Sequence, residues 1–315
     1  MSKSRKRSEN HEGHAHGVAH GTRLLGALAL TLGFALVELV AGWRSGSLAL
    51  LADAGHMVTD GASLGLAAFA AWLVSRGPSE RHSFGWGRIE LLAALANALA
   101  MLAVIGFIGF EALRRFRDPH VIQGGTVSVV AGIGLVVNLV VAWMLAGGTK
   151  NLNVRAAMVH VLGDLLGSVA ALVAGLVILF TQWSLIDPIL SLLIGGIVLS
   201  SSLGVLRESL HGILDGVPQG ISLPHLAEDL SSVEGVTGIA DLHVWSLSSE
   251  RSALSAHVFL ENMEAWNGVL HRLEHVAESY EIEHTTFQPR LGESPLRDRP
   301  FPSYLCSPGK HSHHA

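Results

Sequence analysis

The strongest constraint on the fold is an apolar stretch at residues 47–71, SLALLADAGHMVTDGASLGLAAFAA. It is longer than the about 20 residues that a helix needs to span ~30 Å of hydrocarbon. Three ionisable residues nevertheless lie within it, Asp53, His56 and Asp60, at spacings that put them on one face of a helix. Each costs at least ~2.5–3.5 kcal/mol in the middle of a bilayer, so this face is expected to line a protein interior or a water-filled cavity.

A second apolar stretch, at 156–180, repeats the pattern, with His160 and Asp164 four residues apart. Two helices that each offer one imidazole and one carboxylate supply four ligands, enough for a tetrahedral site around a divalent cation. The alternative for these pairs is hydrogen bonding between helices that only fixes their packing. Asp53 is a weaker candidate for metal binding, and its alternative role is a helix cap or an entrance charge that attracts cations.

These two stretches belong to a set of six, and the whole chain is 49% hydrophobic and 15% charged. This pattern predicts a polytopic α-helical membrane protein. The first stretch contains an acid, Glu38, and the sixth begins with Asp187 and Pro188, which predicts a helix N-cap followed by proline in the first turn. The six stretches lie at 22–43, 47–75, 88–113, 124–146, 154–181 and 185–206.

Six crossings place both termini on the same side of the membrane. Basic residues are concentrated in the N-terminal tail and in the second–third and fourth–fifth connections, which favours the cytoplasm for that side. The third–fourth connection opposes this rule, because it contains Arg114, Arg115 and Arg117. We expect an integral membrane protein with both termini in the cytoplasm.

The segments outside the apolar region differ in composition. Residues 1–21 are polar and His-rich and are expected to form a disordered cytoplasmic tail before a transmembrane domain at 22–207. Residues 208–290 contain 13 acidic residues and three arginines and predict a small ferredoxin-like α-β-β-α-β domain. Residues 291–315 are expected to form a second disordered, His-containing tail. The single cysteine, Cys306, excludes a disulfide framework or a CxxC metal clip within one chain.

Several stretches together resemble the cation diffusion facilitator family, specifically its zinc-exporting branch. They are LADAGHMVTD, RHSFGWGRIELLAALANA at 81–98, HVLGD, DPILSLLIGGIVL at 187–199 and DLHVWSL at 241–247. The resemblance covers residues 23–288. It implies a homodimeric antiporter of the bacterial inner (plasma) membrane that exports Zn²⁺, in some members Cd²⁺ or Co²⁺, in exchange for protons. The implied partners are these ions, the lipid bilayer and a second copy of the chain, with no nucleic acid.

The same resemblance assigns residues to metal sites. It implies a transport site of His56, Asp60, His160 and Asp164, and zinc binding to the cytoplasmic domain at His257 and His284. The sequence departs from the family at Ala240, where relatives often have a histidine, and at Arg290, where some have a carboxylate. His243 is a candidate partial substitute, and His82 occupies the place of a weak metal site in some relatives.

A membrane-embedded metalloenzyme is one alternative function, but it would need an open coordination position and a general base. The chain contains no HExxH motif, and we expect no enzymatic activity. A haem protein with His56 and His160 as axial ligands is another alternative, but it would give the neighbouring acids no role. Nitrogen and oxygen ligands together favour Zn²⁺ over Mn²⁺ or Mg²⁺.

Overall fold

Six long helices form the first part of the protein. The computed structural model describes residues 12–146, 152–248 and 251–292. Each helix contains a window that is long and apolar enough to cross a membrane. This confirms the polytopic helical fold predicted from the six apolar stretches. The helices are α1 (Glu12–Ser45), α2 (Leu48–Val74), α3 (Ile89–Arg117), α4 (Gly124–Ala146), α5 (Leu152–Thr181) and α6 (Ile186–Ile213).

Two helices extend past the predicted domain boundaries. Helix α1 already begins at Glu12, inside the tail predicted at 1–21, and α6 continues to Ile213, past the predicted domain boundary at 207. An apolar stretch marks only the part of a helix in contact with hydrocarbon, and residues 12–21 contain no proline that would stop the helix. The other parts of the two predicted tails, 1–11 and 293–315, lie outside the described residues.

The described chain divides into two compact units, and the first lies within Met1–Leu66 and Ala96–Gly204. In this unit α4 packs against α1 and α5. Alanines are completely buried between the helices, among them Ala35, Ala131 and Ala171, which lets the backbones approach closely. Large apolar side chains such as Trp143 and Phe180 are exposed on the helices, as expected for a surface that lipid would cover.

The second unit lies within Ala67–Leu95 and Val205–Ala315. Its C-terminal part folds in the predicted α-β-β-α-β order, as α7 (Leu223–Ser231), β1 (Val236–Ser246), β2 (Ser252–Leu260), α8 (Trp266–Ser279) and β3 (Ile282–Leu291). The strands are ordered β1-β2-β3, with β1 antiparallel and β3 parallel to β2. A parallel pair requires a long crossover, which α8 provides.

The core of this domain lies between the sheet and the two helices. Leu226 and Leu230 of α7 and Val269 and Leu273 of α8 are completely buried with Leu254 of β2. Positions four residues apart lie on one face of a helix, so α8 covers the sheet with the apolar face that its sequence predicts.

Candidate metal centre

One imidazole nitrogen of α2 faces carboxylates from two helices. Nε2 of His56 lies 3.5 Å from Oδ2 of Asp60, one turn further along α2, and 3.9 Å from Oδ1 of Asp164 on α5. The Asp164 side chain is almost fully buried, whereas those of His56 and Asp60 are about a quarter exposed. The predicted meeting of the two His-x-x-x-Asp pairs is therefore seen for three of the four residues.

The fourth predicted ligand, His160, is on α5 one turn before Asp164, but its side chain lies outside the described residues. Among the described side chains, no set of three or more His, Cys, Asp or Glu is already arranged as a complete metal site. Imidazole nitrogen and carboxylate oxygen are nevertheless the donors that Zn²⁺ takes in four-coordinate sites. The described part of this arrangement is one imidazole nitrogen between two carboxylates, at 3.5 Å and 3.9 Å.

Asp53 is buried against α5 rather than exposed at an entrance. Its side chain is 5% exposed, and Oδ2 accepts a hydrogen bond of 3.5 Å from the Ser168 hydroxyl, which in turn accepts one of 3.1 Å from Nδ2 of Asn138. Gly167 lies so close that an added Cβ would be 2.7 Å from Oδ1 of Asp53. Asp53 is also the sixth residue of α2, beyond the capping position. The structure therefore gives it a role at the α2–α5 contact.

Glu38 of α1 is a further acid in the same interior. Its side chain is completely buried, and within the described part of the chain neither carboxylate oxygen has a hydrogen-bond partner. Asp53 and Asp164 are close enough to interact with it electrostatically. Gly134 of α4 makes room for it, since a Cβ there would be 2.9 Å from Oε1 of Glu38. The bundle thus holds several acids, as expected for a cation pathway.

The connection between α2 and α3 contains His82. Its backbone pairs with Ser79 in a short turn, and its ring stacks on Trp86 with centroids 4.0 Å apart. The structure therefore shows a packing role for the His82 ring, and its predicted weak metal binding stays a prediction. Nearby, Arg88 forms an ion pair with Asp215.

In the cytoplasmic domain, Asp241 lies between two histidines. Its Oδ1 is 3.5 Å from Nε2 of His243, and its Oδ2 is 3.5 Å from Nδ1 of His257 on the neighbouring strand. Asp241 has a φ of 56°, at an irregular point of β1 between Ala240 and His243. This left-handed conformation is uncommon for a residue other than glycine and tends to occur at functional sites.

His284 does not join this cluster in the single chain. It pairs with Ala253, whereas His257 pairs with Gln288, so the two histidines are separated by four positions along β2. At about 3.3 Å per residue this is a separation of ~13 Å along the strand. The ring of His284 instead packs edge-on against Phe84, with centroids 5.6 Å apart.

Sequence reasoning did not connect Asn138 and Ser168 with Asp53, nor Asp241 with the two histidines. Asn138 and Ser168 could have been noticed as polar residues inside apolar stretches. Asp241 could have been noticed as a carboxylate two positions before His243.

Comparison with known proteins covers almost all of the described chain. Residues 24–214 match the cation efflux transmembrane domain, and residues 218–289 match the cytoplasmic domain of cation efflux proteins. The zinc transporter ZitB of Escherichia coli (strain K12) is 41% identical over 285 residues, which is 87% of this chain and 91% of the relative. ZitB of Pectobacterium atrosepticum is 42% identical over 283 residues, covering 87% and 88%.

A relative from Bacillus subtilis (strain 168) is named as a cadmium, cobalt and zinc/H(+)-K(+) antiporter. It is 37% identical over 283 residues, which is 88% of this chain and 91% of the relative. The resemblance stated from the sequence motifs is confirmed by these matches. The chain belongs to the cation efflux family of membrane transporters.

Proposed function

We propose that the protein exports Zn²⁺ from the cytoplasm in exchange for protons, with the ion bound between α2 and α5. His56, Asp60, His160 and Asp164 are the proposed ligands. The observation that carries this proposal is the single imidazole nitrogen of His56 facing both Asp60 and Asp164 inside apolar helices. The names of the relatives support the choice of zinc, with cadmium and cobalt as further cargo, and of protons as the exchanged ion.

Protons and metal would compete for the same nitrogen. Imidazole binds a metal only when it is neutral, and its ordinary pKa of ~6.5 lies within the physiological range. With a proton on His56, the two carboxylates stabilise the imidazolium. With zinc bound, the same carboxylates become ligands. Each state excludes the other, so metal binding releases protons and protonation releases metal.

Family membership favours transport over the metalloenzyme and haem-protein alternatives. We place the protein in the bacterial inner membrane with both termini in the cytoplasm, so that zinc enters the site from the cytoplasm and leaves on the opposite side. Relative movement of the helices would expose the site to each side in turn.

Reconstitution in lipid vesicles tests this proposal. Vesicles carrying the purified protein, a zinc dye and a pH dye inside should show zinc entry coupled to proton exit, with and without K⁺. Zinc entry that leaves the internal pH unchanged under both conditions would reject proton exchange, and absence of zinc entry would reject the function. A proton gradient should drive zinc movement in the opposite direction.

Replacing His56 with aspartate is expected to weaken the preference for Zn²⁺ over Cd²⁺ and Mn²⁺. The change exchanges a borderline nitrogen for a hard oxygen and places a third carboxylate beside Asp60 and Asp164. Competition by Cd²⁺ and Mn²⁺ against zinc uptake in vesicles measures the effect, with His120→Asp in the exposed α3–α4 connection as the control. Identical competition curves for wild type and the His56 variant would argue against His56 as a ligand.

We also propose a second zinc site in the cytoplasmic domain, formed by Asp241, His243 and His257. The two 3.5 Å separations that join Asp241 to the histidines support it. Small side-chain movements would bring the three donors onto one ion, and water would supply a fourth ligand. In this cluster, other residues would supply the zinc ligand that relatives often have as a histidine at the position of Ala240.

A homodimer is the proposed assembly, since residues 218–289 match the dimer-type cytoplasmic domain of cation efflux proteins. Residues 208–290 of each copy contain 13 acidic residues and three arginines. Their mutual repulsion is screened only beyond ~8 Å at physiological ionic strength. Zinc bound at Asp241 would reduce this repulsion, so occupancy of the second site is expected to favour association of the domains.

The cytoplasmic site predicts a loss of zinc binding in two histidine variants. Zinc titrations of the full-length protein in detergent should show at least ~10-fold weaker binding at one site for His257→Ala and His243→Ala, because each removes a ligand. His225→Ala is the matched control, since His225 is exposed and is the one histidine of α7. His284→Ala tests whether His284 contributes separately. Unchanged binding in both the His243 and His257 variants would reject the site.

A further inference from the structure

Asp187, at the start of α6, has a completely buried carboxylate that accepts three hydrogen bonds from the start of α2. The donors are the Ser47 hydroxyl at 2.5 Å, the Leu48 N–H at 2.7 Å and the Ala49 N–H at 3.3 Å. The first N–H groups of a helix have no acceptor within their own helix. Asp187 was predicted to cap α6, but its side chain instead caps α2.

The cap is completed by Ser47 and by a buried arginine. The Ser47 hydroxyl accepts a 3.3 Å hydrogen bond from the Leu50 N–H. Nη1 of Arg115, on α3, lies 3.6 Å from Oδ2 of Asp187 and donates to the carbonyl of Gly46, while its Nε donates to Glu111 at 3.3 Å. A buried network thus joins the beginning of α2 to α3 and α6.

The same helix carries two proposed zinc ligands. Leu48 and His56 are eight residues apart in one uninterrupted helix, which corresponds to ~12 Å along its axis. A helix transmits an axial displacement with little loss over two turns, because its hydrogen bonds resist stretching. A shift of its first turn would therefore move His56 and Asp60 relative to Asp164, and metal–ligand distances tolerate only ~0.2 Å.

We propose that Asp187 is a positioning residue for the transport site. Its carboxylate fixes the first turn of α2 and thereby sets the axial position of His56 and Asp60 against α5. This inference rests on the proposed function, because it assigns Asp187 a role in the affinity of that same site for zinc.

Asparagine has nearly the shape of aspartate but cannot perform this role. Its side chain has only one acceptor oxygen. In place of the second oxygen it has an NH₂ group, which is a donor and would face the donors at the start of α2. It also removes the charge of one of the two carboxylates that pair with the buried Arg115, leaving only Glu111. The Asp187→Asn variant therefore disturbs the cap while keeping the volume of the side chain.

Zinc uptake by the full-length protein in vesicles tests the inference. We expect Asp187→Asn to raise the KM for zinc by about 10-fold, as for other residues that support metal ligands, and to change the ratio of the zinc and cadmium KM values. Ser47→Ala should give a smaller change in the same direction. Asp118→Asn, an exposed aspartate after α3, is the matched control and should leave both KM values unchanged.

A purely structural role predicts a different result. Loss of folded transporter lowers Vmax but leaves the KM of the remaining molecules unchanged, so an unchanged KM in Asp187→Asn overturns the inference. If that variant does not fold, an unchanged KM in Ser47→Ala overturns it. Amide hydrogen exchange along α2 gives a readout that needs no transport, and we expect faster exchange from Leu48 to His56 in Asp187→Asn. Absence of zinc uptake by the wild-type protein would reject the proposed function. Unaltered amide hydrogen exchange along α2 in Asp187→Asn would reject the positioning role itself.

Discussion

Asp164→Asn is expected to reduce zinc transport by at least ~100-fold. Loss of a residue that only hydrogen-bonds to a metal ligand already costs up to about 100-fold, and Asp164 is itself a proposed ligand. Oδ1 of Asp164 faces Nε2 of His56 at 3.9 Å, and its side chain is almost fully buried. Asparagine keeps the volume but removes the negative charge that would balance either a bound cation or a protonated imidazole. Zinc uptake by vesicles that contain equal amounts of each protein measures the effect.

Asp118→Asn provides the control for Asp164→Asn, because it makes the same chemical change at an exposed position. Thermal unfolding should show that both variants remain folded, since neither changes the volume of a side chain. Near-normal zinc flux in Asp164→Asn would reject the proposed pathway between α2 and α5.

Gly167→Ala is expected to lower zinc transport by roughly 10- to 100-fold through the contact between two helices, in the range of changes that displace metal ligands indirectly. The new Cβ would lie 2.7 Å from Oδ1 and 3.3 Å from Cγ of Asp53. Because Asp53 is buried, the new methyl group must either turn the Asp53 side chain away from Ser168 or push α2 away from α5. In the second case the distance from His56 to Asp164 increases.

Gly65→Ala separates this effect from a general effect of alanine. Gly65 lies on α2, and no described atom is within 4 Å of its added Cβ. Replacing a helical glycine with alanine ordinarily stabilises a helix by about 0.5–1 kcal/mol, so neither variant should fail for lack of helix propensity. Vesicle transport assays that give the same rate for both variants would contradict the proposed importance of the Asp53–Gly167 contact.

The sequence predicted the elements that depend on local pattern. Six apolar stretches gave six helices because each is long enough to span hydrocarbon. The four-residue spacing of His56 and Asp60 put both on one face because of the helical period. The α-β-β-α-β order followed from alternation in the strands and from the apolar face of α8.

The residue contacts that depend on how helices are rotated against each other were not predictable. Asp53 meets Gly167 and Ser168 because α2 and α5 pack with those faces together, which no local spacing determines. Asp187 illustrates the same limit, since an acid beside a helix start predicts a cap but does not identify the helix that is capped.

Asp241, the carboxylate of the cytoplasmic cluster, was missed for another reason. The left-handed φ of Asp241 and the irregular pairing beside Ala240 interrupt the regular strand that alternation describes. The resemblance gave His257 and His284 as the zinc ligands. That assignment stays a prediction, and the structure adds a carboxylate, Asp241, 3.5 Å from both His243 and His257.

The parallel pairing of β2 with β3 has a consequence for biosynthesis. The central strand, β2, gains its second neighbour only when β3, which ends at Leu291, has been synthesised. All six apolar helices are synthesised before that point. Until then one edge of β2 is open, and apolar side chains such as Leu254 and Val258 lack part of their cover. Synthesis that stops before Ile282 would leave a membrane-inserted protein with an aggregation-prone strand, a product that cellular quality control should remove.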